Sequence, residues 1–198
     1  MIPLMALGIA TLVGQTVPDP RIPMPSPWRE PGYLKIWWIQ SPNFGKRPDI
    51  LGVDTIVVHS TVIESLEKTT EAFQREASQV SSHFTIGRDG SIVQNVSTFD
   101  RAWHAGVGKD KDGRTNPNNW SVGIELVNLN DGKQDYPEAQ LIALRGIIAE
   151  MIRRFPIKQI VSHEYIAQPP GRKNDPKSFP WDRLKSFGIP IYTGENHG

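Results

Sequence analysis

Thr55-Ile-Val-Val-His-Ser, residues 55–60, is a run of β-branched and apolar residues that closes on a histidine. Branched side chains pack well on a pleated surface, and a continuous apolar run is typical of a strand buried on both faces. Residues 157–163 repeat this pattern and also end in a histidine. Both runs therefore predict buried strands, with His59 and His163 at their carboxyl ends.

Three other segments have the composition of helices. Residues 67–78 form the first of them. The second runs from Pro137 to Arg154 with apolar residues at helical spacing, and proline suits the first turn of a helix because that N–H has no partner there. A short last helix is predicted over residues 181–187.

The remaining strand signals complete a mixed pattern. Residues 83–87 and 92–96 flank Asp89-Gly90, and Asp-Gly between two strand-like runs is a strong hairpin signal. Residues 121–127 alternate in a way that predicts a further strand. Strands that alternate with helices, together with one tight hairpin, predict a single α/β domain with a central mixed β-sheet flanked by helices.

Composition limits the classes of partner and ligand. The chain has 198 residues, enough for one ordinary domain, with 38% hydrophobic and 22% charged residues. Its net charge of +1 gives no reason to expect nucleic acid or an anionic membrane surface as a partner. Because the chain has no cysteine, a metal site must use nitrogen and oxygen ligands, and the disulfide clue to the compartment is absent.

Four segments are predicted along the chain. Residues 1–14 carry no charge and are either a signal peptide or an apolar arm, since a membrane span needs about 20 residues. Residues 15–50 are an extended, proline-rich N-terminal arm. Residues 51–190 are the main folded domain, and residues 191–198 are a flexible tail. A signal peptide would place the protein in the cell envelope, periplasmic or secreted, and the alternative is the cytoplasm.

Two histidines and a carboxylate form the candidate metal site. His59, His163 and Asp175 are the ligand types of a catalytic zinc site that keeps one position open. Each residue alone has a simpler explanation, because a histidine at a strand end is more often structural and an aspartate before proline is common in turns. The three lie far apart in the sequence, so they can converge only if the fold brings them together.

Glu125 and Lys173 are the candidate catalytic residues. Glu125 interrupts the apolar run at 121–127, and a buried carboxylate needs a partner or a cleft, where it could act as a general base. Lys173 lies close to Asp175 in sequence and could stabilise an oxyanion. The alternatives are a glutamate on the solvent face of an edge strand and an exposed loop lysine.

Trp103 and His104 are the candidate substrate-binding residues. They occur in Arg101-Ala-Trp-His-Ala-Gly, which fits neither a helix nor a strand. This composition indicates a loop that holds an aromatic ring and an imidazole beside small residues. Small residues let a ligand approach, so the stretch suits the wall of a binding cleft.

Ordered motifs over residues 55–185 resemble those of a known family. The stretches are Ile56-Val-Val-His-Ser-Thr, Val80-Ser-Ser-His-Phe-Thr-Ile-Gly-Arg-Asp-Gly-Ser-Ile, Arg101-Ala-Trp-His-Ala-Gly, Ser121-Val-Gly-Ile-Glu-Leu, and His163-Glu-Tyr-Ile-Ala with Gly171-Arg-Lys-Asn-Asp-Pro and Phe179-Pro-Trp. The chain resembles the zinc-dependent type 2 N-acetylmuramoyl-L-alanine amidases. Their fold is shared by peptidoglycan-recognition proteins and some phage lysozymes.

The resemblance implies both a site and a reaction. It implies that His59, His163 and Asp175 hold Zn²⁺ in an open groove, with Glu125 and Lys173 beside it as catalytic residues. The implied reaction is hydrolysis of the amide between the lactyl group of N-acetylmuramic acid and L-alanine, in bacterial peptidoglycan or muropeptides. No nucleic-acid partner and no membrane span are expected, and a monomer is favoured.

The chain departs from the family pattern in two places. The loop from His163 to Lys173 is longer than in many members. In addition, Ser82 stands where some phage members have a tyrosine, which groups the chain with the bacterial enzymes that use a glutamate.

The two rival functions are a non-catalytic peptidoglycan-binding domain of the same fold and a zinc peptidase that cuts stem peptides. A non-catalytic member is expected to lack a zinc ligand, and no His-Glu-x-x-His motif supports a peptidase.

Overall fold

The structure is a computed structural model that describes residues 36–49 and 52–194. The predicted segment at 1–14, the first part of the arm at 15–35 and the last four residues of the tail lie outside the described residues. The strands are β1 (Ile36–Trp38), β2 (Phe44–Lys46), β3 (Thr55–Ser60), β4 (Phe84–Ile86), β5 (Ile92–Gln94), β6 (Asp100–Ala102), β7 (Ser121–Leu126), β8 (Gln159–Ser162) and β9 (Ile191–Tyr192). The α-helices are α1 (Leu66–Gln74), α2 (Glu138–Arg154) and α3 (His163–Ile166), and 3-10 helices cover Glu76–Ser78, Pro117–Asn119 and Trp181–Phe187.

Seven strands form one sheet in the order β1-β5-β4-β7-β3-β8-β9, and β2 pairs with β6 in a separate ribbon. In the large sheet, β4 and β5 pair antiparallel as the predicted Asp-Gly hairpin, and the other neighbours run parallel. The prediction of one α/β domain with a central mixed sheet flanked by helices is confirmed. β3 lies between β7 and β8, so the first strand recognised in the sequence is central.

The two faces of the sheet pack against different groups of residues. Ile56 and Val58 of β3 point toward the main hydrophobic core, where α2 covers the sheet. Because successive side chains of a strand point to opposite faces, Val57 and His59 point the other way. Val57 joins a smaller cluster with Ile166 on that second face. The face opposite α2 is therefore the one on which His59 is presented.

The helices follow from their ends and their apolar faces. The side chain of Ser65 accepts a hydrogen bond from the backbone N–H of Lys68 and caps the start of α1. Pro137 was predicted in the first turn of α2 and lies immediately before it, and Leu144 and Met151 of this helix are fully buried. Favourable residues at their starts and one apolar face explain why these segments are helical.

Several boundaries differ from the predictions, and three of them change the element to which a residue belongs. The first helix ends at Gln74, and only a 3-10 turn follows it, because Arg75 takes an extended conformation. His163 does not end a strand: β8 stops at Ser162, whose side chain accepts the N–H of Tyr165, so His163 begins α3. Ile191–Tyr192, assigned to the tail, form β9 beside β8, with Ile191 packed on the main core and Tyr192 on the smaller cluster of the other face.

The described part of the N-terminal arm belongs to the folded domain. β1 adds to the outer edge of the sheet beside β5, a position compatible with the prolines around it. Further along, the side-chain amide of Asn43 donates to the carbonyl oxygens of Phe73 and Arg75 at the end of α1. The sheet and its supporting contacts thus begin before residue 51, the predicted start of the domain.

Within residues 36–49 and 52–194, no helix is both long and apolar enough to cross a membrane.

Candidate functional site

Three distant segments bring the predicted metal ligands together. His59 lies in β3, His163 begins α3 directly after β8, and Asp175 lies in the loop that follows α3. β3 and β8 are parallel neighbours, with Val58 opposite Ser162, so the two histidines that follow these residues are adjacent. One ligand atom from each of the three residues lies within 4.8 Å of the others, and all three residues are buried. These residues could hold a metal ion.

The Asp175 carboxylate lies close to both histidines of the candidate metal site. Its Oδ2 lies 3.1 Å from Nδ1 of His163 and 3.6 Å from Nδ1 of His59. The backbone N–H of Ser60 donates to the same oxygen at 3.4 Å. Both histidines thus turn the same ring nitrogen, Nδ1, toward the carboxylate.

Two features of the ring nitrogens fit a metal ion. His59 Nδ1 is buried and has no hydrogen-bond partner among the described residues. His163 donates from Nε2 to the carbonyl oxygen of Ala105 at 3.3 Å, so the neutral ring keeps its lone pair on Nδ1. That lone pair faces Asp175, and two electron-rich atoms so close need a cation or a proton between them. Two imidazole nitrogens and a carboxylate oxygen are a donor set that suits zinc.

Burial and neighbouring charges set the protonation of the ligands. Burial, and then the neighbouring His163, lowers the pKa of His59 to about 4. Burial alone would raise the pKa of Asp175, but the imidazoles of His163 and His59 beside it favour its negative charge and hold that pKa well below its ordinary value. At neutral pH, His59 is neutral and Asp175 is ionised, which is the state that a metal ligand requires.

Glu125 lies beside His59 on the neighbouring strand. In the parallel pair of β3 and β7 the two residues are directly opposite, and His59 Nδ1 is 3.9 Å from Glu125 Oε1. The Glu125 side chain is only 12% exposed, and its Oε2 has no hydrogen-bond partner in the described ranges. Burial, and then the negative charge of Asp175, raises the pKa of Glu125 to about 8. A carboxyl group with such a pKa is suited to taking and returning a proton near neutral pH.

Lys173 lies at the surface of the loop that carries Asp175. Its positive charge lowers the pKa of both His59 and Glu125, so the ammonium is close enough to act on them electrostatically. The side chain is exposed and could therefore reach charge on a bound molecule. Its catalytic role stays a prediction.

The metal loop, residues 168–178, is clamped by a second segment of the chain. The Asn130 side chain donates to Oδ1 of Asn174 at 2.9 Å and accepts the backbone N–H of Lys177 at 2.7 Å. The Tyr136 hydroxyl donates to the carbonyl oxygen of Lys177 at 3.1 Å. These contacts bracket the loop on both sides of its ligand, so the greater length of the loop does not leave the ligand loosely held.

His104 lies behind His59. It is 9% exposed, and its Nδ1 is 3.0 Å from His59 Nε2. The imidazole packs on the backbone of Gly123 in β7, where a Cβ would stand 2.4 Å from the ring. This position favours a role in holding His59, and contact between His104 and a substrate stays a prediction.

Trp103 points to a different place from its neighbour. Its half-buried side chain lines a surface pocket of about 510 Å³. Arg101, Lys109 and Asn118 line the same pocket and supply polar groups and positive charge. An aromatic ring beside hydrogen-bond donors is a common arrangement for binding small polar molecules, although this role of Trp103 is still a prediction.

Several supporting residues were missed in the sequence. Ser121 lies 3.3 Å from His104 Nε2, and the Asn118 side chain accepts the backbone N–H groups of His104 and Ala105. Serine and asparagine are so common at turns and strand ends that neither gave a signal. Such contacts depend on where a loop folds back, which no local pattern shows.

Comparison with known proteins shows which family the chain resembles in sequence. The family described as N-acetylmuramoyl-L-alanine amidase matches residues 48–178. The 1,6-anhydro-N-acetylmuramyl-L-alanine amidase AmpD of Haemophilus influenzae is 33% identical over 169 residues, which cover 75% of this chain and 89% of that protein. AmpD of Escherichia coli is 32% identical over 167 residues, covering 74% of this chain and 88% of that protein.

Solved structures show the same similarity in three dimensions. The crystal structure of a selenomethionine AmpD derivative superposes with a TM-score of 0.62 at 32% identity, over 75% of this chain and 92% of that one. The amidase AmiD from E. coli, in complex with anhydro-N-acetylmuramic acid-L-Ala-D-γ-Glu-L-Lys, superposes with a TM-score of 0.63 at 31% identity, over 70% of this chain and 58% of that one. By its sequence and its fold, the chain belongs to the N-acetylmuramoyl-L-alanine amidase family.

Proposed function

We propose that this amidase uses Zn²⁺, bound by His59, His163 and Asp175, to hydrolyse the amide between the lactyl group of N-acetylmuramic acid and L-alanine. The observation that carries the proposal is the convergence of these three ligand atoms within 4.8 Å. Glu125 lies next to them on the adjoining strand. A non-catalytic peptidoglycan-binding domain would be expected to lack one of these groups.

The chain's own residues supply proton transfer and charge stabilisation. Zinc would activate the attacking water and polarise the amide carbonyl when bound. Glu125 accepts the proton of that water and returns it to the nitrogen of the leaving L-alanine. Lys173 places its ammonium beside the oxygen that gains negative charge as the carbonyl is attacked. The raised pKa of Glu125 favours this exchange, because the group can both take and give a proton near neutral pH.

Muropeptides that carry anhydro-muramic acid are the substrates that we propose first. The E. coli amidase AmiD holds such a molecule in its structure, and the AmpD relatives are named for 1,6-anhydro-N-acetylmuramyl-L-alanine. Intact peptidoglycan is the alternative. The pocket lined by Trp103 is a candidate site for part of the substrate, with the indole ring as a face for stacking.

The site of action is proposed to be the cell envelope, with the cytoplasm as the alternative. The uncharged segment at residues 1–14 motivates this proposal. Fractionation of cells that express the full chain would locate it. Recovery in the cytoplasmic fraction with an unprocessed N-terminus would contradict the proposal.

The decisive experiment compares products from two substrates. Purified anhydro-muropeptides and intact sacculi are digested with the wild-type protein and with Glu125→Ala, and the products are identified by mass spectrometry. An amidase releases whole stem peptides, whereas a stem peptidase shortens them. We expect whole stem peptides from the wild type, and a loss of rate of about 10²–10⁴-fold in the variant because general base catalysis is removed.

Zinc must be measured in the same samples. The wild type should lose activity with a chelator and recover it when zinc is added back. The Glu125→Ala variant should still contain zinc, since Glu125 is not one of the three proposed ligands. Wild-type rates in a zinc-loaded Glu125→Ala variant would overturn the assignment of the base, and shortened stems would overturn the proposed reaction.

A further inference from the structure

We propose that Ser121 is a positioning residue that fixes which nitrogen of His59 carries the proton, acting through His104. It lies at the start of β7 and is fully buried. Three hydrogen bonds in series run from the carbonyl of Pro117, through Ser121 and His104, to His59. The proposal rests on the proposed metal-binding function of His59.

We call this series of hydrogen bonds, from Pro117 through Ser121 and His104 to His59, the relay. The Pro117 carbonyl determines which group donates and which accepts at each step. A backbone carbonyl oxygen can only accept a hydrogen bond. The Ser121 hydroxyl therefore donates to the carbonyl of Pro117, at 2.6 Å. A hydroxyl has one proton, so Ser121 Oγ can only accept from its other neighbour, which is His104 Nε2 at 3.3 Å.

The same direction then passes through the two imidazoles. A neutral histidine has one N–H, so when His104 donates from Nε2 its Nδ1 must accept. The group that donates to it is Nε2 of His59, at 3.0 Å. With its proton on Nε2, His59 keeps a lone pair on Nδ1. That atom is the buried one without a hydrogen-bond partner, 3.6 Å from the Asp175 carboxylate.

Neighbouring hydrogen bonds hold His104 and the second histidine, His163, in place. The Asn118 side chain accepts the backbone N–H groups of His104 and Ala105, at 3.2 and 2.9 Å. The carbonyl of Ala105 accepts Nε2–H of His163. Two consecutive residues thus orient both histidine ligands, one through its side chain and the other through its backbone. Outer hydrogen bonds of this kind commonly fix the tautomer of a metal-bound histidine.

The relay predicts tautomers that can be observed directly. The first measurement is long-range ¹H–¹⁵N NMR of the metal-free wild-type protein with labelled histidine, at about pH 8, where an ordinary imidazole is neutral. We expect His104 and His59 both to carry the proton on Nε2. A proton on Nδ1 of His104 in the folded wild type would overturn the proposal, whatever the variants show.

The second measurement is zinc affinity, by competition with a chromophoric chelator. Ser121→Ala should lower the affinity about 10–100-fold, the usual effect of losing such an outer partner, and should mix the His59 tautomers. Ser41→Ala is the matched control, because Ser41 is equally buried and also donates to a backbone carbonyl, that of Phe73. It should bind zinc like the wild type. Unchanged affinity in Ser121→Ala would refute the proposal.

Variants of His104 separate positioning from packing. His104→Asn keeps an acceptor oxygen near the place of Nδ1, whereas His104→Leu fills space without accepting a hydrogen bond. Zinc affinity should be largely retained in the first and lost about 10–100-fold in the second. Equal affinities would contradict the relay. These measurements use no substrate, so a protein with the expected tautomers and zinc affinities but without amidase activity would overturn the proposed reaction and leave the relay intact.

Discussion

At the scale of single residues, the lack of a side chain on Gly123 leaves room for part of the site. Gly123 faces the same side of the sheet as Glu125, two positions further along β7. The His104 ring occupies the volume that a Cβ at residue 123 would need. Glycine at this position therefore allows the imidazole to reach His59.

Gly123→Ala should weaken zinc binding by displacing the His104 ring. A Cβ at 2.4 Å from the ring cannot be accommodated without movement, and movement would break the hydrogen bond to His59. We expect a loss of zinc affinity of about tenfold or more, measured by chelator competition. Gly45→Ala is the control, because its Cβ would meet only the terminal guanidinium of the long Arg101 side chain, at 3.2 Å. Equal effects of the two changes would show that the contact with His104 is unimportant.

Lys173→Met should separate catalysis from metal binding. Removal of an oxyanion-stabilising group typically costs about 10²–10³-fold in kcat. Zinc should bind as tightly as before or more tightly, since the Lys173 charge lowers the pKa of His59 and would also repel a cation. Rates on a muropeptide and zinc affinity are measured on the same samples, with Lys173→Arg retaining the charge. A marked fall in zinc affinity would assign Lys173 a structural role instead.

At the scale of elements, the metal loop at residues 168–178 depends on its clamp. Asn130 bonds to the loop at two points, and its backbone has a φ of 57°, a left-handed conformation that few side chains tolerate. Asparagine is one of the residues that adopts this conformation and also offers an amide for two hydrogen bonds. The clamp thus combines a turn requirement with a binding requirement in one residue.

Asn130→Gly should loosen the metal loop without straining the turn, because glycine accepts a positive φ. Each hydrogen bond lost is worth about 1 kcal/mol, so the zinc affinity should fall roughly tenfold. Asn116→Gly is the matched control, with a φ of 55° at the replaced residue. Chelator competition and hydrogen exchange of the loop amides are the measurements. Zinc affinity that falls equally in the control would show that the loss comes from the added glycine.

Elements with a strong local pattern could be predicted from the sequence, and those set by distant contacts could not. The β-branched run at residues 55–60 and the Asp-Gly hairpin formed as expected. The position of His163 at the start of α3 depends on capping by Ser162, a short-range contact that the strand pattern concealed. The orientation of His104 was beyond prediction, because its partners lie on three other segments of the chain.

The site residues divide in the same way. The ligand types of His59, His163 and Asp175 could be recognised from chemistry and order in the chain, and the structure brings them together. Which ring nitrogen faces the proposed metal position follows from hydrogen bonds to Ala105 and His104, and these exist only in the folded protein. Sequence patterns identify candidates, whereas tautomers and outer contacts require coordinates.

At the scale of the whole molecule, buried ionisable groups predict how the metal-free protein responds to pH. Burial lowers the pKa values of His59, His83 and His104, so below about pH 6.5 the unfolded chain binds protons that the folded chain does not, and stability falls on acidification. Burial raises the pKa of Glu125 from 4.5 to about 8, so between these values the folded chain holds a proton that the unfolded chain has lost, and this group lowers stability as the pH rises through that range.

The metal-free protein should therefore be most stable near about pH 7. Urea denaturation in the presence of a chelator, at intervals from acid to alkaline pH, gives the free energy of unfolding. In Glu125→Gln the decline above about pH 7 should disappear, and the rise in stability between about pH 4.5 and 6.5 should become steeper, because Glu125 opposes the histidines in that range. A decline toward pH 8 that persists in this variant would show that another group is responsible.

The parallel pairing around β3 also governs the order in which the molecule can assemble. β3 finds its neighbours β7 and β8 only after long stretches of intervening chain, and Ser60 meets Asp175 across 115 positions. Contacts this remote in sequence carry a high entropic cost of loop closure and form slowly. A chain still under synthesis therefore cannot complete the proposed three-ligand metal site until Asp175 has been synthesised. Metal binding at the proposed site should therefore be a late event in folding, after the parallel strands have paired.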